Sequence, residues 1–303
     1  MADTLISTAA ELALPPKIVG RIFNNVAGHS AIVKLSDNTP IPFTGSKQFV
    51  FTMDDEVAIV GEGGAKPAGD AKFTGKTIVP IKIVYQHRVT DEFVYASEED
   101  KIAYLEAFAD GFAKKIARGI DIMAFHGVNP ATGSDASFKA TNSFDGIYAS
   151  DLIEIDPDDF AATLDSTIGT LVDNDKNVTG LAFSASAGAA MAAVKENGVT
   201  QFPEFRFGGR PESFAGYDLD INNTVTFGGS KDMAIVGDFR NAFKWGYAKN
   251  MTFEVIEYGN PDGGTYDLKQ SNEVCLRSEA YVGWGILDED AFAVIAEDDD
   301  EGG

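Results

Sequence analysis

The chain holds a single cysteine, Cys275, among 303 residues. One thiol excludes an intramolecular disulfide framework and a thiolate metal cluster. Its surroundings, Asn272-Glu273-Val274-Cys275-Leu276-Arg277, read as a strand, and a small buried apolar side chain is the role expected there. Histidine is scarce too. His29, His87 and His126 share no i, i+4 spacing and no His-Glu-x-x-His pattern, so no metal site is expected. Ordinary structural roles are expected for all three, with His126 at a helix end where positive charge suits the dipole. No run approaches the roughly 18 apolar residues that a membrane span needs. The start, Met1-Ala2-Asp3-Thr4-Leu5-Ile6-Ser7, lacks the basic and apolar regions of a secretory signal. Neither a membrane nor an oxidising compartment is expected.

Basic residues are also few. Lysine and arginine number 24 against 47 aspartates and glutamates, giving a net charge of −23 and a pI near 4.3. Tight duplex binding needs cations that displace counterions from phosphates, so the chain is a poor candidate for a sequence-reading DNA binder. Some of the acidity lies in Glu297-Asp298-Asp299-Asp300-Glu301, and residues 297–303 are expected to be a solvated tail.

Catalytic patterns are poor. Gly69-Asp70-Ala71-Lys72-Phe73-Thr74-Gly75-Lys76-Thr77 looks like a phosphate loop, but five residues separate its glycines instead of four. It also runs into the strand-like Ile78-Val79-Pro80-Ile81, where a helix N-terminus is required. Ser184-Ala185-Ser186-Ala187-Gly188 lacks the first glycine of a nucleophile elbow, and Ser186 is expected to cap a helix. Neither a catalytic site nor a cofactor is expected.

What the chain does have is layout. Residues 1–45 read as an arm: Leu12, Leu14, Ile18, Ile22 and Phe23 are apolar, but Pro15, Pro16, Pro40 and Pro42 break regular structure. A short helix is expected around 16–26. Residues 46–90 read as a long hairpin. Phe49, Phe51 and Met53 alternate on one limb, and Val79, Ile81, Ile83 and Tyr85 on the other, with the glycine-rich 61–70 as its tip. The hairpin carries six basic side chains (Lys47, Lys66, Lys72, Lys76, Lys82, Arg88) and five acidic ones. A near-neutral projection on an acidic chain is suited to docking onto an acidic neighbour. Lys66, Lys72, Lys76, Arg88, Phe49 and Phe51 are the candidate intersubunit contacts.

Residues 97–126 carry the clearest helix. Ser97 and Asp100 form a capping box, and Ile102, Leu105, Phe108, Phe112, Ile116, Ile120 and Met123 recur at spacings of three and four before Gly127. Thereafter helices and strands alternate. Asp156-Pro157-Asp158-Asp159 opens a helix striped by Phe160, Leu164, Ile168 and Leu171. Leu181–Ser184 reads as a strand, and Ser186–Glu196 as a helix ended by Asn197-Gly198. Strands are expected at 218–222, 233–236, 252–256, 273–286 and 291–295, and an exposed loop at 259–264.

The C-terminal half resembles the Hong Kong 97-type capsid proteins of tailed double-stranded DNA bacteriophages. The resembling segments are Phe202-Pro203, Ser213-Phe214-Ala215-Gly216-Tyr217-Asp218-Leu219, Ala234-Ile235-Val236-Gly237-Asp238-Phe239-Arg240-Asn241-Ala242, Val274-Cys275-Leu276-Arg277-Ser278-Glu279-Ala280 and Asp288-Glu289-Asp290-Ala291-Phe292-Ala293. The resemblance implies an α+β fold. Its parts would be an N-terminal arm (1–45), an extended β-hairpin loop (46–90), a peripheral domain (91–135 and 270–296) with spine helix 97–126, and a central α/β axial domain (136–269). It implies a shell subunit of the virion, assembled in the host bacterial cytoplasm into hexamers and pentamers of an icosahedral capsid. Its acidic inner face would hold packaged DNA only non-specifically. It leaves room for a portal and a decoration protein. Many relatives carry a helical scaffolding segment before the arm; with the arm starting almost at Met1, the scaffold is expected to be cleaved off, a separate scaffolding protein, or absent. Some relatives crosslink a loop lysine to an asparagine, and no motif singles out Lys66 or Lys72 for that. An encapsulin-type nanocompartment shell keeps the fold and changes the contents. A monomeric acidic enzyme or carbohydrate-binding protein is the alternative of another class.

Overall fold

The computed structural model describes residues 29–53, 57–69, 71–92 and 98–298. The expected helix at 16–26, the Ser97 cap and residues 299–303 lie outside these. The elements begin with α1 (Ala31–Leu35), β1 (Ser46–Met53), β2 (Ala71–Ile78), β3 (Ile81–Thr90) and α2 (Glu98–His126). Then come α3 (Lys139–Asn142), α4 (Phe144–Ile147), β4 (Ile153–Ile155), α5 (Phe160–Asp173), β5 (Gly180–Phe183) and α6 (Ala185–Ala193). The short strands β6 (Lys195–Glu196), β7 (Val199–Thr200) and β8 (Ser213–Phe214) precede β9 (Tyr217–Ile221), β10 (Asp232–Gly237) and β11 (Phe243–Ile256). The chain closes with α7 (Leu268–Ser271), β12 (Glu273–Ile286) and β13 (Phe292–Glu297).

The centre is a mixed six-stranded sheet in the order β4-β13-β10-β5-β9-β8. Its inner strands read as near-continuous apolar runs, Leu181-Ala182-Phe183 and Met233-Ala234-Ile235-Val236. Such runs belong to strands covered on both faces. Alternate side chains enter two different cores. Leu181, Phe183, Ala234, Val236 and Ile295 pack with Phe160, Leu164 and Met191 of α5 and α6. Ala182, Ile235 and Val294 point the other way, into a core with Phe112, Ile116 and Ile120 of α2. Phe144 is the aromatic centre of that second core, with Phe292 5.2 Å, Phe125 5.9 Å and Phe243 6.1 Å away between ring centres.

The second sheet is antiparallel, in the order β11-β12-β3. Here the hairpin reading needs correction. β1 pairs with β2, Ser46 opposite Ile78 and Met53 opposite Ala71. Ile81–Thr90, expected as the second limb, pairs with β12 instead, Val282 opposite Ile81 and Glu273 opposite Thr90. Val79 and Pro80 separate the two segments, and Pro80 has no N–H to continue a ladder. Beyond it Tyr85 lies 6.0 Å from Phe108 and 6.4 Å from Phe112 between ring centres. The apolar face of β3 thus rests on α2.

The expected arm is corrected in part. Residues 30–41 belong to the body: Ala31, Ile32, Leu35 and Ile41 are buried. A five-residue helix cannot hold itself in water, and the cause of its placement is Asp121. This fully buried carboxylate on α2 accepts from Ser30 Oγ (2.5 Å), the amides of Ala31 (2.9 Å) and Ile32 (3.2 Å), and Thr224 Oγ1 (2.8 Å). It caps α1 from another helix. The chain then runs along β11, where Thr39 N donates to Trp245 O at 2.8 Å and Ile41 N to Tyr247 O at 3.3 Å. The approach is so close that a Cβ on Gly246 would lie 1.8 Å from Thr39 O.

Smaller readings also change. The cap of α6 is Ser184, which accepts from Ala187 N at 3.1 Å, and Ser186 only bonds the Ser184 hydroxyl. Asn197 and Gly198, with φ of 50° and 81°, turn the β6–β7 ribbon rather than end a helix. Two residues of the expected tail are pinned, Glu297 N donating to Lys231 O and Asp298 N to Ile155 O, both at 2.9 Å. The spine helix matches its expected span within a residue. Its 29 residues make a rod of about 43 Å, stopped by Gly127 at φ 61°.

Burial pushes the Asp121 carboxyl up to about 6 from 3.8, against the four donors that favour its ionised form. The folded state therefore favours the proton, so this contribution is complete below about pH 4 and is lost as pH rises through about 6. The whole effect is about 3 kcal/mol, of which about 1.4 kcal/mol falls between pH 5 and pH 7.5. Stability of the native chain minus that of Asp121→Asn, from urea unfolding, should fall by that amount across the window. Asp121→Ala strands four buried donors and should cost about 3 kcal/mol near pH 5, the cost falling by the same ~1.4 kcal/mol by pH 7.5.

Candidate assembly surface

The β1–β2 hairpin leaves the body with its root fixed. Ile78 is buried, and β12 makes room for it: a Cβ on Gly285 would lie 2.9 Å from Ile78 Cγ1. Lys76, a candidate contact residue, pairs with Glu289 of its own chain. Phe49 lies opposite Gly75, with its ring 3.4 Å from where a Cβ there would stand, and is 59% exposed. Further out, Val57 and Ile59 are fully exposed at the tip, which also carries exposed Lys66. The side chains of Phe51 and Lys72 lie outside the described residues.

Arg88 stands apart from the other candidates. Its guanidinium takes Asp262 with two nitrogens, Nε donating to Oδ2 at 2.7 Å. It also donates to Asn260 Oδ1 at 2.8 Å, and to Glu273 Oε2 and Tyr266 O at 3.1 Å. Arg88 thus straps the 259–264 loop to the three-stranded sheet. The same guanidinium holds the Asp262 carboxyl well below the usual carboxylate range. These ties are internal to the subunit, so they do not depend on a neighbour.

A second exposed region escaped the sequence reading. Phe207 is fully exposed and sits at φ 58°, with the Arg206 guanidinium 5.3 Å from its ring centre. A bulky residue in the left-handed region stores strain, and Val199 nearby in sequence is also exposed. Only an aromatic beside Gly208-Gly209 was visible in the sequence, and that pattern says nothing of exposure. His29 and His87 are exposed. His126, by contrast, is buried against Asp145 and Asp232, an encounter the sequence did not signal.

A long spine helix beside a three-stranded sheet, a projecting hairpin and a second α/β core around a central sheet define the Hong Kong 97-like capsid fold. Solved structures agree. One from Mycobacterium phage Ogopogo is 28% identical with a TM-score of 0.72, covering 89% of this chain and 92% of that one. One from Gordonia phage Cozz is 23% identical with a TM-score of 0.72, covering 89% and 87%. The capsid of a native GTA particle is 14% identical with a TM-score of 0.60, covering 88% and 89%. No curated protein matches the chain. The model of the phage capsid family matches residues 11–296, so the chain belongs to the phage capsid family. It is a structural major capsid protein that assembles into shells, and neither the encapsulin nor the enzyme alternative is favoured.

Arg88→Ala should free the 259–264 loop. Limited proteolysis should then cut between Tyr258 and Asp267 several-fold faster, with the cutting pattern elsewhere unchanged. Arg88→Lys should rescue little, because an ammonium cannot reproduce the two-pronged contact.

Proposed function

We propose that copies of this chain form the hexamers and pentamers of an icosahedral phage head enclosing double-stranded DNA. Residues 136–269 would cluster around the symmetry axes as the axial domain, corrected by the sheets to gain β13 and lose β11, and 91–135 with 270–296 would form the peripheral domain, corrected to gain β3 and β11 and lose β13. Head-to-tail contacts between identical copies close into rings when the rotation permits. The observation that carries this reading is the hairpin tip: Val57 is 95% and Ile59 fully exposed on a projection rooted by Ile78. Exposed apolar side chains clustered on one projection mark an interaction surface. A two-stranded ribbon is marginal alone, and a sister subunit would supply its missing face.

Charge supports the same arrangement. The hairpin 46–78 carries four basic and five acidic side chains on a chain of net charge −23, so it can approach a neighbour's acidic surface without the general repulsion. Lys66, Lys72, Phe49 and Phe51 would make those contacts, together with residues 1–28 as the arm. The chain would act without catalysis. Assembly in the host cytoplasm, with a portal and a decoration protein as further partners and the scaffold either cleaved off, separate or absent, completes the reading.

Deleting residues 61–70, or replacing Val57 and Ile59 together by Asp, should lower particle yield at least tenfold by electron microscopy. Circular dichroism and melting of the subunit should stay as in the native chain. Normal particles from either variant would contradict the hairpin's role.

A further inference from the structure

We propose that His126, Asp145 and Asp232 bind one divalent transition-metal ion, with Zn²⁺ the best match. The three come from three elements: the last turn of α2, α4, and the first residue of β10. His126 Nδ1 lies 2.9 Å from Asp145 Oδ2 and 3.7 Å from Asp232 Oδ2. One ligand atom from each residue fits within 4.8 Å of the others. Tetrahedral Zn²⁺ with bonds near 2.0 Å sets its ligands about 3.3 Å apart, between the two measured separations.

The hydrogen bonding favours a metal over a proton. His126 Nε2 is 2.9 Å from Thr224 O. A carbonyl only accepts, so Nε2 carries a ring proton and, in the neutral ring, the Nδ1 lone pair faces the two carboxylates. Holding the second ring N–H on a carbonyl is how proteins orient a metal-binding histidine. A proton on Nδ1 would satisfy Asp145, and Asp232 would then need a second proton of its own to donate to Asp145. Asp232 is only 5% exposed, and its Oδ2 has no hydrogen-bond partner. A cation between the three atoms satisfies Nδ1 and both carboxylates together.

Charge and access agree. Two carboxylates converge on the C-terminal end of α2, where the helix dipole is itself negative. Phe125 and Phe227 flank the imidazole, with ring centres 6.3 Å and 6.1 Å away. Asp145 is the open side at 26% exposure, leaving a route for the ion and for water as a further ligand. One imidazole with two carboxylates suits Zn²⁺, Co²⁺ or Mn²⁺ over the all-oxygen preference of Ca²⁺. The ion would clip the end of the spine helix and α4 to the central sheet.

The test uses full-length protein without an affinity tag, stripped with a chelator and titrated with Zn²⁺, Co²⁺ and Ca²⁺. The native chain should bind one Zn²⁺ by calorimetry and melt several degrees higher with it. Bound Co²⁺ should show the intense visible bands of a four- or five-coordinate site. Asp145→Asn and Asp232→Asn should lose at least tenfold in Zn²⁺ affinity, and Asp145→Asn should keep the native circular dichroism. No Zn²⁺ or Co²⁺ binding by the native chain would overturn the proposal and leave a proton-linked triad. Native affinity in both Asn variants would move the ion elsewhere and equally overturn it. Ca²⁺ bound as tightly as Zn²⁺ would overturn the transition-metal assignment.

Discussion

The polar interior of this subunit converges on one carboxylate. Asp121 is completely buried, and a buried charge is tolerated only where donors surround it. The donors come from two distant places, residues 30–32 and the loop at Thr224. Satisfying one group therefore fixes three segments against each other. α1 is seated, the strip at 38–41 is aimed along β11, and the 222–225 loop is locked beside the spine helix. Thr224 carries the constraint onward, its hydroxyl on Asp121 and its carbonyl on His126. Asp121 and His126 lie near the end of one helix, so a single rod organises both clusters.

This arrangement divides the chain between self and neighbour. The central sheet is covered on both faces and the spine helix is buried nearly all round in its last three turns, so the body is closed to exchange. Among the described residues, the hairpin tip and Phe207 carry the most exposed apolar side chains. A shell subunit needs that division. It must fold before it meets its sisters, yet offer apolar surface whose burial waits for them. Rooting the hairpin through Ile78 and the Gly283–Gly285 stretch lets the tip be exposed without loosening the core.

How much of this was legible in the sequence follows from which contacts are local. The stripe of α2, the Asp156–Asp159 start of the α5 region and the apolar runs of β5 and β10 depend on residues close in sequence, and all were readable. Strand pairing is not local. The alternation at 81–90 identified a strand but could not tell whether its partner lay at 46–53 or nearly two hundred residues on, at 273–286. The Arg88 strap has the same character, since its partners lie beyond residue 259. Asp121 left a trace: a single acid between Ala117 and Phe125, one helical turn either way, on a face that is otherwise apolar. The His126 cluster left almost none, because 47 acidic residues hide any particular pair.

Acidity itself becomes intelligible at the level of the assembled shell. A net charge of −23 per copy makes close approach between copies unfavourable, with the repulsion screened beyond roughly 8 Å at physiological salt. Contacts must then be made by parts that escape the repulsion. In the proposed arrangement the β1–β2 hairpin does so, because four basic side chains (Lys47, Lys66, Lys72, Lys76) nearly balance its five acidic ones. In that arrangement each docked hairpin would add a modest, reversible contact. A closed shell multiplies such contacts until the sum exceeds the repulsion. Weak individual contacts also allow a misplaced copy to leave before it is trapped. Under the proposed docking, excess negative charge on the body and its near balance on the hairpin are two sides of one constraint, which would favour the orientation that brings hairpin to neighbour.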